Sequence, residues 1–171
     1  MTFAEEVRRS RNEKDDYFRV AEAPLTPAQR AMFAGLAYYD PDPSLRFEVT
    51  LEASEDDHRR EEVEMSDGST DELERAGLVR VQIDGRDVSL LAYRQGHDLF
   101  IPFRDATSGG ETYGAGRYVE ARPIAHDRWL LDFNYAYNPY CAYNDGWRCP
   151  LPPRENWLRV PIRAGEKTFT R

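Results

Sequence analysis

The sequence predicts a mainly β fold, an antiparallel meander of about eight strands curled into a barrel and led by two N-terminal helices. Three observations carry this. From Ser44 onward, short stretches of alternating apolar and polar residues follow one another through turn signals, with no βαβ alternation to build a parallel sheet. Asp84-Gly85 stands between two apolar-patterned runs, the arrangement of a two-residue hairpin. Two capping boxes, Thr2 with Glu5 and Thr26 with Gln29, mark helix starts near the N-terminus. With 171 residues the chain reads as one domain, a helical arm over 1–43 and the barrel over 44–171, burying about two-thirds of its unfolded surface.

The first helix is expected to run to about Phe18 as a mostly solvated arm docked at its ends through Phe3, Val7 and Phe18. The second, with Pro27 at its first turn, is expected to reach about Tyr38 and to pack Ala28, Met32, Gly35 and Leu36 on the core. Asp40-Pro41-Asp42-Pro43 then stops helix formation. Leu45, Phe47, Val49 and Leu51 alternate with polar residues as a half-buried strand. The Asp84-Gly85 turn pairs Ile83 with Arg86, Val81 with Val88 and Val79 with Leu90, so turn and pattern agree on register. Gly96-His97-Asp98 turns the chain into Leu99, Ile101 and Phe103; strands near Arg117–Ile124 and Arg128–Tyr137 follow, and a last one over Trp157–Arg163 contains Pro161 and belongs at an edge.

Composition excludes several functions. The net charge of −8 leaves no basic face for a nucleic acid or an anionic membrane. No apolar run is long enough for a membrane helix or a secretory signal, so the expected location is cytoplasmic. Of the 23 basic residues only Lys14 and Lys167 are lysine, which fits either a salt-adapted acidic surface or a genomic bias to arginine.

Candidate chemistry clusters late in the chain. Phe103 to Gly116 reads F-R-D-A-T-S-G-G-E-T-Y-G-A-G, too long for a hairpin connection and rich in residues that bring backbone close to a ligand. An anion nest with Arg104 or Arg117 is one reading, although Asp105 and Glu111 would repel phosphate; a solvated glycine-rich loop is the other. On the strand from Trp129 to Asn138, one face carries Leu130, Asp132, Asn134, Ala136 and Asn138, short polar residues that suit a partly enclosed surface or an Asp132–Arg pair. Asn144-Asp145-Gly146 is a turn signal that would set Cys141 opposite Cys149, expected as two packed thiols rather than a disulfide or a zinc pair.

The strings F-x-P-F-R-D-A-T-S-G-x-E-T-Y-G-x-G-R-Y, D-F-N-x-A-Y-N-P-Y-C-A-Y-N, C-P-L-P-P-x-E-N-x-L and the A-G-E-K ending together resemble the domain-of-unknown-function family numbered 1684, known from bacteria and archaea. They span Phe100 to Phe169, about 40% of the chain, and the helical start with G-L-A-Y-Y resembles the family's N-terminal half. That family has no established activity, so the resemblance implies positions rather than a reaction. The matching positions are Asp105, Thr107, Ser108, Glu111, Tyr113, Arg117, Asp132, Asn134, Asn138, Cys141, Asn144, Glu155, Asn156 and Glu166.

The leading functional expectation is a small-molecule-binding barrel with a polar pocket near one rim, walled by Tyr113, Tyr137, Tyr140 and Tyr143. Asp105, Glu111, Arg117, Asp132, Asn134 and Asn138 would orient the ligand, with Thr107, Ser108, Asn144, Glu155 and Asn156 as further contacts. The alternative is an acid–base, hydrolytic enzyme in which Asp105, Glu111 or Asp132 is the base and Tyr113 or Arg117 stabilises developing charge; it needs carboxylates within about 6 Å of each other. A third reading is a non-catalytic structural or interaction module whose edge strand meets a partner, such as a second copy in a homodimer. No residue pattern names a cofactor or a metal. Both site readings require the glycine-rich segment and the aspartate–asparagine strand to meet at one hollow.

Overall fold

A computed structural model describes the whole chain, Met1–Arg171. The capping boxes form as the spacing dictates. In α1 (Phe3–Val20) the Thr2 hydroxyl accepts from the Glu5 amide and Glu5 accepts from the Thr2 amide; Thr26 and Gln29 do the same for α2 (Pro27–Met32). Val7 and Phe18 are buried, as expected of the docking ends. The middle of α1 docks too, through long polar side chains. Arg11 donates to the carbonyls of Tyr39 and Asn134, and Lys14 pairs with the buried Glu166.

The second helix is shorter than expected and packs nothing on the core: it ends at Met32, which is 87% exposed. Its expected continuation is taken instead by extended chain that bonds the C-terminal segment. Tyr39 N donates to Gly165 O and Lys167 N to Ala37 O, bonds a helix would forfeit.

The strands are β1 (Arg46–Val49), β2 (Arg60–Glu64), β3 (Thr70–Ile83), β4 (Arg86–Gln95), β5 (Asp98–Phe103), β6 (Arg117–Ala125) and β7 (Arg128–Asp132). They form one antiparallel sheet in the order β1-β7-β6-β5-β4-β3-β2. The β3–β4 hairpin has the register expected from its turn, Ile83 opposite Arg86, Val81 opposite Val88 and Val79 opposite Leu90.

The expected barrel does not form. Seven strands stand where about eight were expected, and the outermost pair, β1 and β2, do not bond to each other. β1 is only four residues long; beyond it a single bridge, Glu52 with Leu78, joins the chain to β3. Gly77 makes that bridge possible, because a Cβ there would meet Glu52 O at 2.5 Å. The strand expected to reach Tyr137 stops at Asp132, whose side chain accepts from Asn134 N and starts a 3-10 turn over Phe133–Tyr135. No strand forms over Trp157–Arg163 either. Val160, Ile162 and Ala164 still bury alternate side chains, but the segment is held by side chains and by a short parallel bridge to Arg104 and Ala106 rather than by a strand ladder. The cysteine hairpin is also absent: Tyr140–Ala142 is a 3-10 turn, and Cys149 is bonded through Ser66 to the β2–β3 turn, yet its thiol still lies against Cys141 as expected. Both cysteines are free and buried.

Two apolar layers result. The inner face packs Leu90, Leu99, Ile101, Phe103, Val119, Leu131 and Phe133 with the C-terminal segment. On the outer face Val63, Met65, Leu91, Tyr93, Phe100 and Tyr118 make a smaller cluster, next to side chains left open to solvent. No helix is long and apolar enough to cross a membrane.

Candidate functional site

The glycine-rich segment folds on itself. Asp105, 6% exposed, accepts from the Thr107 hydroxyl at 2.9 Å on both oxygens, from Ser108 at 3.2 Å and from Ile162 N at 2.6 Å. Arg117, the first residue of β6, lies 3.7 Å from the same carboxylate and donates to the carbonyls of Ile162 (2.8 Å), Ala164 (2.5 Å) and Glu166 (3.1 Å). Together with single backbone bonds from Ala106 N to Val160 O, Tyr39 N to Gly165 O and Glu166 N to Ala136 O, these two side chains hold residues 160–166. Gly116 does allow a close approach, but to the protein's own chain: a Cβ there would lie 2.5 Å from Phe103 O. Glu111 sits apart at the surface, bonded to Tyr39 and Arg163, which hold its carboxyl below the ordinary range, Arg163 contributing most. Tyr113 donates to Cys141 Sγ at 3.6 Å, and burial, with Cys141 beside it, raises its hydroxyl to about 12.

The asparagines are fasteners. Asn134 exchanges bonds with the Asp42 backbone, Asn138 donates to Lys167 O, and Asn144 donates to Pro24 O. Asn156 is fully buried and bonds Leu91 N, Leu91 O and Pro102 O, joining β4 to β5 beyond the end of their ladder at Tyr93–Phe100. Glu166 receives Lys14, Asn138 N and the buried Tyr143 hydroxyl. Glu155 lies at the surface. The glycine-rich segment and the aspartate–asparagine strand therefore do not share one hollow. Asp105, Thr107, Ser108 and Arg117 form one knot, and Asp132 and Asn138 lie at others.

Open space lies on the outer face of the sheet. Side chains two apart on a strand share a face, so Tyr118, Glu120 and Arg122 of β6 line up there with Asp98 and Phe100 of β5 and Leu130 and Asp132 of β7. One hollow of about 420 Å³ is walled by Phe100, Tyr118, Tyr137, Tyr140 and Trp147, with Arg94 and Arg148 at its margin. Tyr140 and Trp147 meet edge to face at 5.1 Å and are each more than a third exposed. Tyr118 packs between Phe100 and Tyr137 and donates to Pro150 O at 2.5 Å. Cys149 is in the wall, and burial raises its thiol to about 11, so it stays protonated at neutral pH.

Of the residues singled out in the sequence, Tyr137, Asn138 and Tyr140 line this hollow, while Tyr143 is fully buried and Tyr113 stands elsewhere. Phe100, Tyr118 and Trp147 were missed. The i, i+2 alternation of Tyr118, Glu120 and Arg122 was the available signal.

A family model described as a protein of unknown function, DUF1684, matches residues 31–167. The chain belongs to this family. All the residues that line the aromatic hollow fall within the DUF1684 span. The solution NMR structure of an uncharacterized protein of Haloarcula marismortui is similar at 40% identity and a TM-score of 0.73, over 95% of this chain and 92% of that one. No curated protein matches this DUF1684 chain.

Proposed function

We propose that the protein binds a small organic molecule with a flat unsaturated ring in the aromatic hollow of the outer face. One observation carries the reading: five aromatic side chains surround a single space of about 420 Å³, with two arginines beside it. Ligand sites combine apolar walls with a few polar groups that orient the guest, and their volumes begin near 300 Å³. Offset or edge-to-face stacking on Tyr140 and Trp147 would hold the ring. Arg148 is steadied by Asp71 at 3.0 Å and by Thr70 O at 2.6 Å, so a guanidinium stands ready for an acceptor on the guest.

The acid–base alternative needs paired carboxylates at one place. Of its three candidate bases, Asp105 is ringed by donors and Glu111 is ion-paired at the surface, and neither stands in the aromatic hollow; Asp132 lies in a separate hollow.

A fragment library of small aromatic carboxylates, screened by protein-observed NMR, tests the reading. Ring-bearing fragments should shift amide signals around Tyr137–Trp147. The Tyr140→Ala, Trp147→Ala double variant should lose those hits while melting near the wild-type temperature, because both rings are partly solvated. Hits that survive the double substitution, or that map to the glycine-rich segment, would overturn the assignment.

A further inference from the structure

A second hollow of about 470 Å³ lies beside the first on the outer face, between α1 and the sheet. Glu120 belongs to its wall and bonds the hydroxyl of Tyr137, which belongs to the wall of the aromatic hollow, so this one pair stands between the two spaces. The charged lining is Glu6, Asp98, Glu120 and Asp132 against Arg46 and Arg122, four carboxylates to two guanidiniums. Asp132 is the key group. Its side chain is only 6% exposed, and its Oδ1 is occupied by Asn134 N at 3.0 Å and Asn134 Nδ2 at 2.7 Å. Asp132 is part of the wall of the hollow; its Oδ2 is itself buried, and no protein group donates a hydrogen bond to it, Arg46 Nε staying 3.9 Å away. A buried carboxylate oxygen without a donor is costly, and an external N–H is the group that would satisfy it.

The kind of cation follows from the spacing. Nowhere in the protein are three His, Cys, Asp or Glu side chains grouped closely enough to hold a metal ion. Carboxylates spread around a hollow suit a cation with separated charges better than a point charge. Leu130 and the ring of Tyr135 supply an apolar wall for methylenes and a π face for an ammonium group. We propose that this hollow binds a short aliphatic polyamine, one ammonium on Asp132 Oδ2 and another near Glu6, Asp98 or Glu120. The site stands independently of the aromatic one.

Titration of the full-length chain with 1,4-diaminobutane and with spermidine, by calorimetry and by amide NMR, is the test. Saturable binding is expected, with shifts at Glu6, Glu120 and Asp132, and butylamine should bind about tenfold more weakly or worse. Asp132→Asn should cost at least about tenfold in affinity, since the charge partner of one ammonium is gone. Glu6→Gln, a substitution on the helix surface, gives a second reading that does not depend on the Asp132→Asn variant folding; it should weaken binding severalfold. Glu111→Gln should leave binding unchanged. Equal affinity for butylamine and the diamine, unchanged affinity in a folded Asp132→Asn protein and in Glu6→Gln, or displacement by magnesium at equal concentration would each overturn the site and leave only general counter-ion attraction.

Discussion

Asp105 and Asp132 are both nearly inaccessible carboxylates facing an arginine, Arg117 at 3.7 Å and Arg46 at 3.9 Å. They differ in what else surrounds them. Around Asp105 each oxygen accepts hydrogen bonds, from Thr107, Ser108 and the Ile162 amide, and Arg117 donates from its two terminal nitrogens to three backbone carbonyls. Around Asp132 one oxygen is saturated by Asn134 and the other is buried without a donor, with Arg46 too distant to bond. Residue type and burial are the same, so neither separates a structural carboxylate from a binding one. The supply of donors does: a fully satisfied group rigidifies the fold, and an unsatisfied one retains the capacity to bind something else.

The largest effect should come from breaking the satisfied member. Asp105→Asn removes the charge opposite Arg117 and turns a donor toward Ile162 N or Thr107, leaving a buried guanidinium uncompensated. A loss of about 3–5 kcal/mol is expected in urea unfolding. A loss below about 1 kcal/mol would mean that apolar packing and the backbone bonds of residues 160–166 hold the segment without the carboxylate. Asn156→Ala should rank next. It strips the bonds to Leu91 N, Leu91 O and Pro102 O at the point where the β4–β5 ladder has ended, and unsatisfied buried groups cost about 1–3 kcal/mol each before relaxation or water repair.

These two residues also show how far the sequence could be read. The β3–β4 hairpin was legible to the residue because an Asp-Gly turn and apolar pairing give the same register. The short polar residues after Phe103 and after Leu131 were legible as unusual, but not in their role. A donor shell is assembled from distant segments: Ile162 lies 57 positions from Asp105, and Leu91 lies 65 from Asn156. No local pattern encodes that. The strand expected over Trp157–Arg163 shows the same limit in reverse, since its alternation is real in burial while its backbone bonds go to Arg104 and Ala106 and, at Ile162, to the side chains of Asp105 and Arg117. β2 was hidden because Arg60-Glu61-Glu62-Val63-Glu64 looks like a solvated charge run; Glu61 nevertheless bonds Tyr93 and Arg75 on the outer face.

A smaller effect, of opposite sign with pH, is expected at Asp132. Burial raises its carboxyl above the ordinary value, and the bonds from Asn134 offset this only in part. The folded protein then holds that proton more tightly than the unfolded chain, so the group costs stability as pH rises from about 4 through its folded value. Asp132→Asn keeps an acceptor for Asn134 N and removes the titration. Denaturant unfolding at successive pH values should show the variant gaining on the wild type as pH rises above about 4, the ordinary aspartate value. A variant that instead fell behind as pH rose would place Asp132 in a firm ion pair with Arg46, and the contrast with Asp105 would disappear.

The smallest effect should come from Glu111, which shares the glycine-rich segment with Asp105 and lies six positions away in the chain. Its carboxylate bonds Tyr39 and Arg163 at 3.1 Å, yet its side chain is 43% exposed and the Arg163 side chain 59%. Water replaces either partner at little cost, and exposed ion pairs contribute little to stability. Glu111→Gln should leave the unfolding midpoint unmoved within error while Asp105→Asn lowers it sharply. If the two substitutions cost the same, the segment would be acting as one cooperative unit, and the donor shell around a single carboxylate would no longer explain which of its acids the fold depends on.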